Sequence, residues 1–92
     1  MSSNFLIKEA LSLYRSVNSK KILLAFRYHK IKLNQLELQK ITGLEQATVS
    51  GTINRLILIG VIYISHIEDR RYKYGVTGKT IKDFIIENIK YI

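Results

Sequence analysis

Residues 33–61 read LNQLELQKITGLEQATVSGTINRLILIGV and predict two short helices joined by a tight turn. Asn34 is a favourable N-cap for the first helix, and Glu37 stands three residues later, in the acidic position of a capping box. Gly43 allows the chain to turn where that helix ends. The second helix repeats apolar residues on one face, which are Val49, Ile53, Leu56 and Gly60.

The opposite face of this second helix carries small or amide side chains, one base and no acid. Its residues are Gln46, Thr48, Ser50, Thr52, Asn54 and Arg55. An ordinary solvated helix would carry Glu and Lys at many of these positions. A face of this kind can approach a nucleic acid closely and hydrogen-bond to it, which is the arrangement of a helix-turn-helix. The alternative is an ordinary helical hairpin whose outer face is only solvated.

The composition predicts a single globular domain over residues 1–92, because 47% of the residues are hydrophobic and 24% are charged. The absence of cysteine excludes disulfides and thiolate metal sites and favours an intracellular, cytoplasmic location. No signal peptide is expected, and the longest uncharged apolar run, residues 56–64, is too short to cross a bilayer.

The net charge of +8, from 15 basic and seven acidic residues, calls for an anionic partner. Nucleic acid is the first candidate and an anionic membrane surface the second. The membrane is less favoured because the basic residues are spread over several elements, and no helix separates them cleanly from an apolar face.

The remaining segments complete the predicted order of elements. Residues 4–17 predict a first helix capped by Asn4, and Ser19 can cap a second helix that runs to about Tyr28, before a possible short strand at 31–33. After Gly60 the apolar period changes to two, which predicts a β-hairpin with strands at 61–67 and 72–77 and a charged turn at 68–71. A last helix, 78–92, begins at Thr77 or Gly78. The predicted architecture is mainly α with a small β-hairpin, in the order α-α-(β)-α-α-β-β-α.

This order and its motifs resemble a winged helix-turn-helix domain and are most similar to MarR-type and ArsR-type transcriptional regulators. The matching motifs are Leu33-Asn34 with Thr42-Gly43-Leu44, Ala47-Thr48-Val49-Ser50, Arg55-Leu56 with Gly60-Val61-Ile62, Asp69-Arg70-Arg71 and Val76-Thr77. The resemblance covers residues 19–80 and implies a DNA-binding fold in which the hairpin is the wing. Three residues depart from the family pattern: Gln39 replaces a small residue at the helix crossing, Glu45 replaces the usual Ser or Asp N-cap, and Thr80 replaces a frequent Gly.

The resemblance implies that the second helix of the helix-turn-helix is the recognition helix. Its polar residues would enter the major groove or touch the groove walls. Gln46 and Asn54 can each form paired hydrogen bonds with adenine, and Arg55 can bind guanine or a phosphate. Ala47 and Gly51 are small enough to keep this helix close to the bases.

The resemblance also implies contacts with the DNA backbone from two other places. Asn34 and Gln35 begin the supporting helix, where backbone and side-chain groups commonly hold phosphate. In the hairpin, Arg70, Arg71 and Lys73 would lie along the backbone or in the adjacent minor groove. The alternative for the two arginines is a charged hairpin tip that only keeps a sheet edge soluble.

A homodimer is predicted from apolar residues that exceed the needs of one small core. Residues 57–59 are Ile-Leu-Ile where the related pattern has charged residues, and both terminal helices are strongly apolar. The predicted interface consists of Leu6, Leu13, Ile57, Leu58, Ile81, Phe84, Ile85 and Ile89. A symmetric dimer would place two recognition helices about 34 Å apart, facing an inverted repeat. The alternative is that the first helix folds over residues 57–59 within one chain.

The sequence gives little indication of nucleotide binding, metal binding or catalysis. Gly78-Lys79-Thr80 ends like a phosphate-binding loop, but Lys73 stands where that motif requires a glycine. His29 and His66 are isolated, so no metal site is predicted, and no nucleophile–base pair or cofactor motif is present. The sequence predicts a protein that is not an enzyme and has no cofactor.

The predicted function is sequence-preferring binding of double-stranded DNA by a homodimeric transcriptional regulator, acting as a repressor through promoter occlusion. Two alternatives stay open. One is an architectural, chromatin-like protein that coats DNA with little sequence preference. The other is a winged helix used for protein interaction in a transcription or replication assembly, with residues 57–59 as the docking surface. The sequence does not indicate an effector ligand or an operator.

Overall fold

A computed structural model describes residues 3–89. The elements are α1 (Ser3–Arg15), α2 (Val17–His29), α3 (Gln35–Thr42), α4 (Gln46–Leu58), β1 (Ile62–Glu68), β2 (Arg71–Val76) and α5 (Ile81–Asn88). This is the order of a winged helix-turn-helix domain, mainly helical with one antiparallel hairpin, as predicted. The predicted helices 4–17 and 78–92 are both present with different bounds. α1 begins one residue before the predicted cap Asn4 and ends two residues earlier than predicted, and residues 90–92 of the last helix lie outside the described residues.

The core lies between the helix-turn-helix, α2 and the terminal helices. Ile22 and Phe26 of α2 pack with Leu38 of α3 and with Ile53 and Leu56 of α4, and all five are buried. Burial of these apolar side chains is what fixes the angle between α3 and α4, because neither short helix would be stable alone in water.

The two helix starts around the core are set by local hydrogen bonds. At α3, the Glu37 N–H donates to Asn34 Oδ1 (2.7 Å) and the Asn34 N–H donates to Glu37 Oε1 (2.9 Å), so the predicted capping box is confirmed. Gly43 ends the helix with φ 74°, a left-handed conformation that favours glycine. A second capping box, between Thr80 and Asp83, starts α5 three residues later than predicted. Hydrogen bonds from Thr80 lower the pKa of Asp83.

The start of α2 differs from the prediction. Ser16, not Ser19, is its N-cap, and the Ser16 hydroxyl oxygen accepts a hydrogen bond from the Ser19 N–H (3.2 Å). Ser19 is buried inside the first turn, where its hydroxyl lies within donating distance of the carbonyl oxygens of Leu13 and Ser16. Two serines three residues apart both satisfy the capping pattern, so the sequence alone did not separate them.

The wing is a hairpin with a two-residue turn. Asp69 and Arg70 both have positive φ, 52° and 64°, as the tight turns that match the twist of a hairpin require. The predicted strand at 31–33 is a single bridge, in which Leu33 and Tyr74 exchange backbone hydrogen bonds of 3.0 and 2.8 Å. Through this bridge β2 is fastened to the chain just before α3.

The terminal helices pack against each other within one chain, since α1 lies along α5 and also contacts α4. Leu13, Ile81 and Phe84 are therefore buried in this chain's own core, and their predicted place at a dimer interface is wrong. Of residues 57–59, Ile59 is buried, Ile57 packs partly against the core and Leu58 is exposed. Across residues 3–89, no helix has both the length and the apolar character that a bilayer crossing requires.

Candidate nucleic-acid interface

The exposed face of α4 is polar, small and free of acids. Gln46, Ala47, Gly51 and Asn54 are exposed and Ser50 is half-buried, while the opposite face packs into the core. Glu45 precedes the helix but its side chain makes no capping hydrogen bond, so the first N–H groups of α4 are not satisfied by it. Amide, hydroxyl and backbone donors without bulky neighbours form a surface that can approach the edges of base pairs.

Two residues predicted on this face are placed elsewhere. Thr52 is only 7% exposed and packs inward beside Ile53, so its assignment to the polar face is wrong. A threonine can be buried there because its methyl group is apolar and hydroxyls at such positions can bond to the helix backbone. Thr48 is half-buried at the edge of the face.

Arg55 is directed to the N-terminal helix. Its Nε–H donates to Glu9 Oε2 of α1 at 2.6 Å, and both side chains are partly exposed. The guanidinium charge is thus compensated by a carboxylate 46 residues away in sequence. In this geometry Arg55 connects α4 to α1, which differs from the predicted contact with guanine or phosphate.

The tip of the wing lies near the start of α3. Arg70 and Arg71 are exposed and form no ion pair with any described residue. Together with Gln35, Tyr72 and Tyr74 they line a cleft of about 210 Å³. The Gln35 side-chain amide donates to the Tyr74 hydroxyl at 3.2 Å, and Asn34 begins the same helix. The predicted phosphate-contacting groups of α3 and the wing, Lys73 excepted, are therefore brought together.

Lys73 is largely buried, with 13% of its side chain exposed. Its Nζ donates to Glu37 Oε1 at 2.6 Å and lies 3.5 Å from Glu68 Oε2. Because Glu37 also caps α3, one carboxylate holds both the start of that helix and the wing strand. The predicted contact of Lys73 with the DNA backbone does not fit this position, since two acids already surround the ammonium group.

The same network shifts the ionisation of both partners. Partial burial of the Glu37 carboxyl favours its neutral form, but hydrogen bonds from Lys73 and from the Asn34 N–H outweigh this and hold the pKa of Glu37 below its ordinary value. The hydrogen bond to Glu37 raises the pKa of Lys73, and burial offsets this only in part. The pair is therefore charged at neutral pH.

The isolated histidines predicted from the sequence are separate in the structure as well. The His66 ring contacts the Ser65 hydroxyl at 2.9 Å, and His29 stacks edge-on against Tyr28. Within residues 3–89, no three His, Asp or Glu side chains form a group that could hold a metal ion.

Comparison with known proteins gives an informative match among solved structures. No protein-family model and no curated protein matches the chain. Among solved structures, the crystal structure of MepR, a transcription regulator of the Staphylococcus aureus multidrug efflux pump MepA, matches with a TM-score of 0.61 and 19% sequence identity. The match covers 97% of this chain and 69% of the MepR chain. At this identity the likeness concerns the fold, and it confirms the winged-helix fold that the sequence resemblance implies.

Proposed function

We propose that this protein binds double-stranded DNA with sequence preference and acts as a homodimeric transcriptional regulator, a repressor by promoter occlusion. The observation that carries the proposal is the exposed, acid-free face of α4 beside a wing whose two arginines have no acidic partner among the described residues. The fold shared with a transcription regulator supports it. The site of action is the cytoplasm, as the sequence predicts.

The proposed contacts divide into those that select a sequence and those that supply affinity. Gln46 and Asn54 would pair with base edges, while Ser50 and Thr48 touch the groove walls. Exposed Gly51 would let the helix backbone come close. Backbone phosphates would be bound by Asn34 and Gln35 at the start of α3 and by the wing, which makes binding strongly salt-dependent.

The proposed dimer uses the terminal helices and the end of α4. Exposed apolar residues remain on these helices after the chain's own core is filled: Leu11, Tyr14, Leu58, Ile86 and Ile89. Leu6, Ile57 and Ile85 are only partly covered. Since α1 packs on both α5 and α4, these residues lie on helices that are connected through α1. A stable dimer requires about 800 Å² of buried surface from each partner, for which exposed apolar residues are suited.

Selection of bound sites from a random duplex pool tests the proposal. A homodimeric regulator should return an inverted repeat whose half-sites lie about one helical turn apart. A loose AT preference would instead support the architectural alternative, and no enrichment would support the protein-interaction alternative. Sedimentation at micromolar concentration tests the dimer separately, because a species near 10.7 kDa would be a monomer.

Two sets of variants separate sequence selection from affinity. Asn54→Ala should cost about 1–3 kcal/mol on the selected site and little on random DNA. Arg70→Gln combined with Arg71→Gln should weaken binding to every duplex and flatten the salt dependence. Lys82→Gln is the matched control, because it removes an exposed positive charge from α5. Equal losses for Asn54→Ala on both DNAs would remove this residue from base recognition.

A further inference from the structure

The chain around α2 carries an unusual concentration of positive charge, and three of its bases, Lys20, Lys21 and Arg27, lie on α2 itself. Residues 10–36 contain no acid and six bases, which are Arg15, Lys20, Lys21, Arg27, Lys30 and Lys32. All six side chains are exposed, and none forms an ion pair with a described residue. This stretch therefore accounts for most of the net charge of the chain, yet none of these six residues lies on the proposed DNA-contacting elements α3, α4 and the wing.

The exposed face of α2 also carries large apolar side chains. α2 directs Ile22, Ala25 and Phe26 into the core, while Leu24 and Tyr28, four residues apart on the opposite side, are exposed. Tyr28 is 84% exposed. Both line a shallow groove of about 460 Å³ between α2 and the end of α3, together with Ile41 and Lys21. An exposed cluster of large apolar side chains on a small protein is typical of an interaction surface.

The combination restricts the chemistry of the partner. The groove is apolar, bases lie along its rim, and α2 carries no acid. Such a surface is complementary to an amphipathic helix of a partner that has aliphatic residues on one face and carboxylates beside them. A nucleic acid would use the lysines but would not bury aliphatic groups such as Leu24 and Ile41, because phosphates and base edges require hydrogen-bond donors. A membrane surface fits poorly, since the exposed bases of α2 are mixed with its exposed apolar residues and are not separated from them.

We propose that the outer face of α2, with its groove against α3, is a docking surface for an acidic amphipathic helix of a partner protein. Aliphatic side chains of the partner occupy the groove beside Leu24, Tyr28 and Ile41, and its carboxylates pair with Lys20 and Lys21. The surface shares no residue with the polar face of α4 or with the wing tip, so the two proposed sites are separate.

The test is an amide NMR titration of the full chain with three synthetic helical peptides. The first carries a leucine stripe flanked by glutamates, the second replaces every glutamate by glutamine, and the third replaces every leucine by serine. The first peptide should bind at least about ten-fold more tightly than either control and shift the amide signals of α2 and residues 41–42. Leu24→Gln and Lys21→Gln should each weaken it. Ile67→Gln and Lys82→Gln, which change exposed residues on β1 and α5, should not.

Several results would overturn the proposal. Equal binding of the serine peptide would mean that the surface recognises negative charge alone, as a nucleic-acid site would. Signal changes confined to α4 and the wing would place the peptide on the DNA-contacting face. If Leu24→Gln converts a dimer to a monomer in sedimentation, the occupant is a second copy of this chain. The titration contains no DNA, so failure of the proposed DNA binding leaves it interpretable.

Discussion

Replacing Lys73 by methionine tests whether this residue positions the wing or contacts DNA. Methionine retains the length and apolar character of the lysine stem, so the packing around β2 is largely preserved. The variant removes the ammonium charge of Lys73. The Nζ atom of this group lies 2.6 Å from Glu37 Oε1 of α3 and 3.5 Å from Glu68 Oε2. If Lys73 acts as the structure indicates, Lys73→Met affects the orientation of the wing and removes no phosphate contact.

The size of the effect follows from burial. Exposed ion pairs contribute about 0.2–1 kcal/mol, whereas removing one partner of a fully buried pair costs about 3–5 kcal/mol. Lys73 is nearly buried, but Glu37 is 37% exposed and keeps the hydrogen bond from the Asn34 N–H after the substitution. We therefore expect Lys73→Met to lower the free energy of unfolding by about 1–2 kcal/mol.

The consequence for DNA binding is a loss of affinity at constant salt dependence. A wing that is held less firmly must be ordered on binding, and a cost of about 1–2 kcal/mol corresponds to roughly 5- to 30-fold weaker affinity. Removal of a true phosphate contact, as proposed for Arg71→Gln, instead reduces the slope of log K against log salt by about 0.9 for each chain, which is about 1.8 for the dimer. The ammonium of Lys73 already has two carboxylate neighbours, so the salt slope of the Lys73→Met variant should equal that of the parent.

The assay combines urea denaturation and DNA titrations at several salt concentrations for Lys73→Met, Glu37→Gln and the double variant. Glutamine retains an oxygen that can accept the Asn34 N–H, so Glu37→Gln removes charge without removing the cap. The double variant should be little worse than either single one, because both remove the same ion pair. A salt slope that falls by about 1.8 for the Lys73→Met dimer would refute the positioning role, as would additive losses in stability.

Three further predictions concern other parts of the site. Folding lowers the pKa of Glu37 from 4.5, so the ion pair stabilises the fold above that pH and is lost as the pH falls through the lower folded value; the stabilities of the parent and Glu37→Gln, measured by denaturation, should converge in acid. Gly51→Ala should stabilise the free protein by about 1 kcal/mol, because nothing lies within 4 Å of the added Cβ, but should weaken DNA binding; unchanged affinity would show that α4 does not approach the groove closely there. Arg55→Gln should leave the salt slope unchanged because Arg55 pairs with Glu9, and a slope reduced by about 1.8 in the dimer would place Arg55 on a phosphate.

The order of elements could be predicted because its signals are local. The Asn34 capping box, Gly43 after α3 and the change of apolar period after Gly60 each depend on residues only a few positions apart. The signal for the later start of α5 is also local, since Thr80 and Asp83 have capping-box spacing. Thr80, which replaces a frequent Gly of the related pattern, is itself the N-cap of α5.

The site could be predicted only in part, because the partners of its charged groups are distant in sequence. Lys73 meets Glu37 across 36 residues and Arg55 meets Glu9 across 46, and no spacing rule connects them. The burial of Thr52 depends on where α2 and α3 pack against α4, which a helical pattern with polar residues on several sides does not fix.

These ion pairs change the expected electrostatics of the proposed complex. Four basic residues were predicted to contact DNA, but Lys73 and Arg55 are compensated by acids, which leaves Arg70 and Arg71 among them without a partner in residues 3–89. Two arginines on each chain of a dimer give four phosphate contacts and a salt slope of about −3.6, at 0.9 per contact. A much steeper slope would require additional bases that contact phosphate. Lys30 and Lys32, which shortly precede α3, are the bases nearest in sequence to the proposed phosphate contact at Asn34. Lys30→Gln with Lys32→Gln would then reduce that slope by about 3.6, because four charges are removed from the dimer, whereas it should change nothing if the wing tip supplies the contacts.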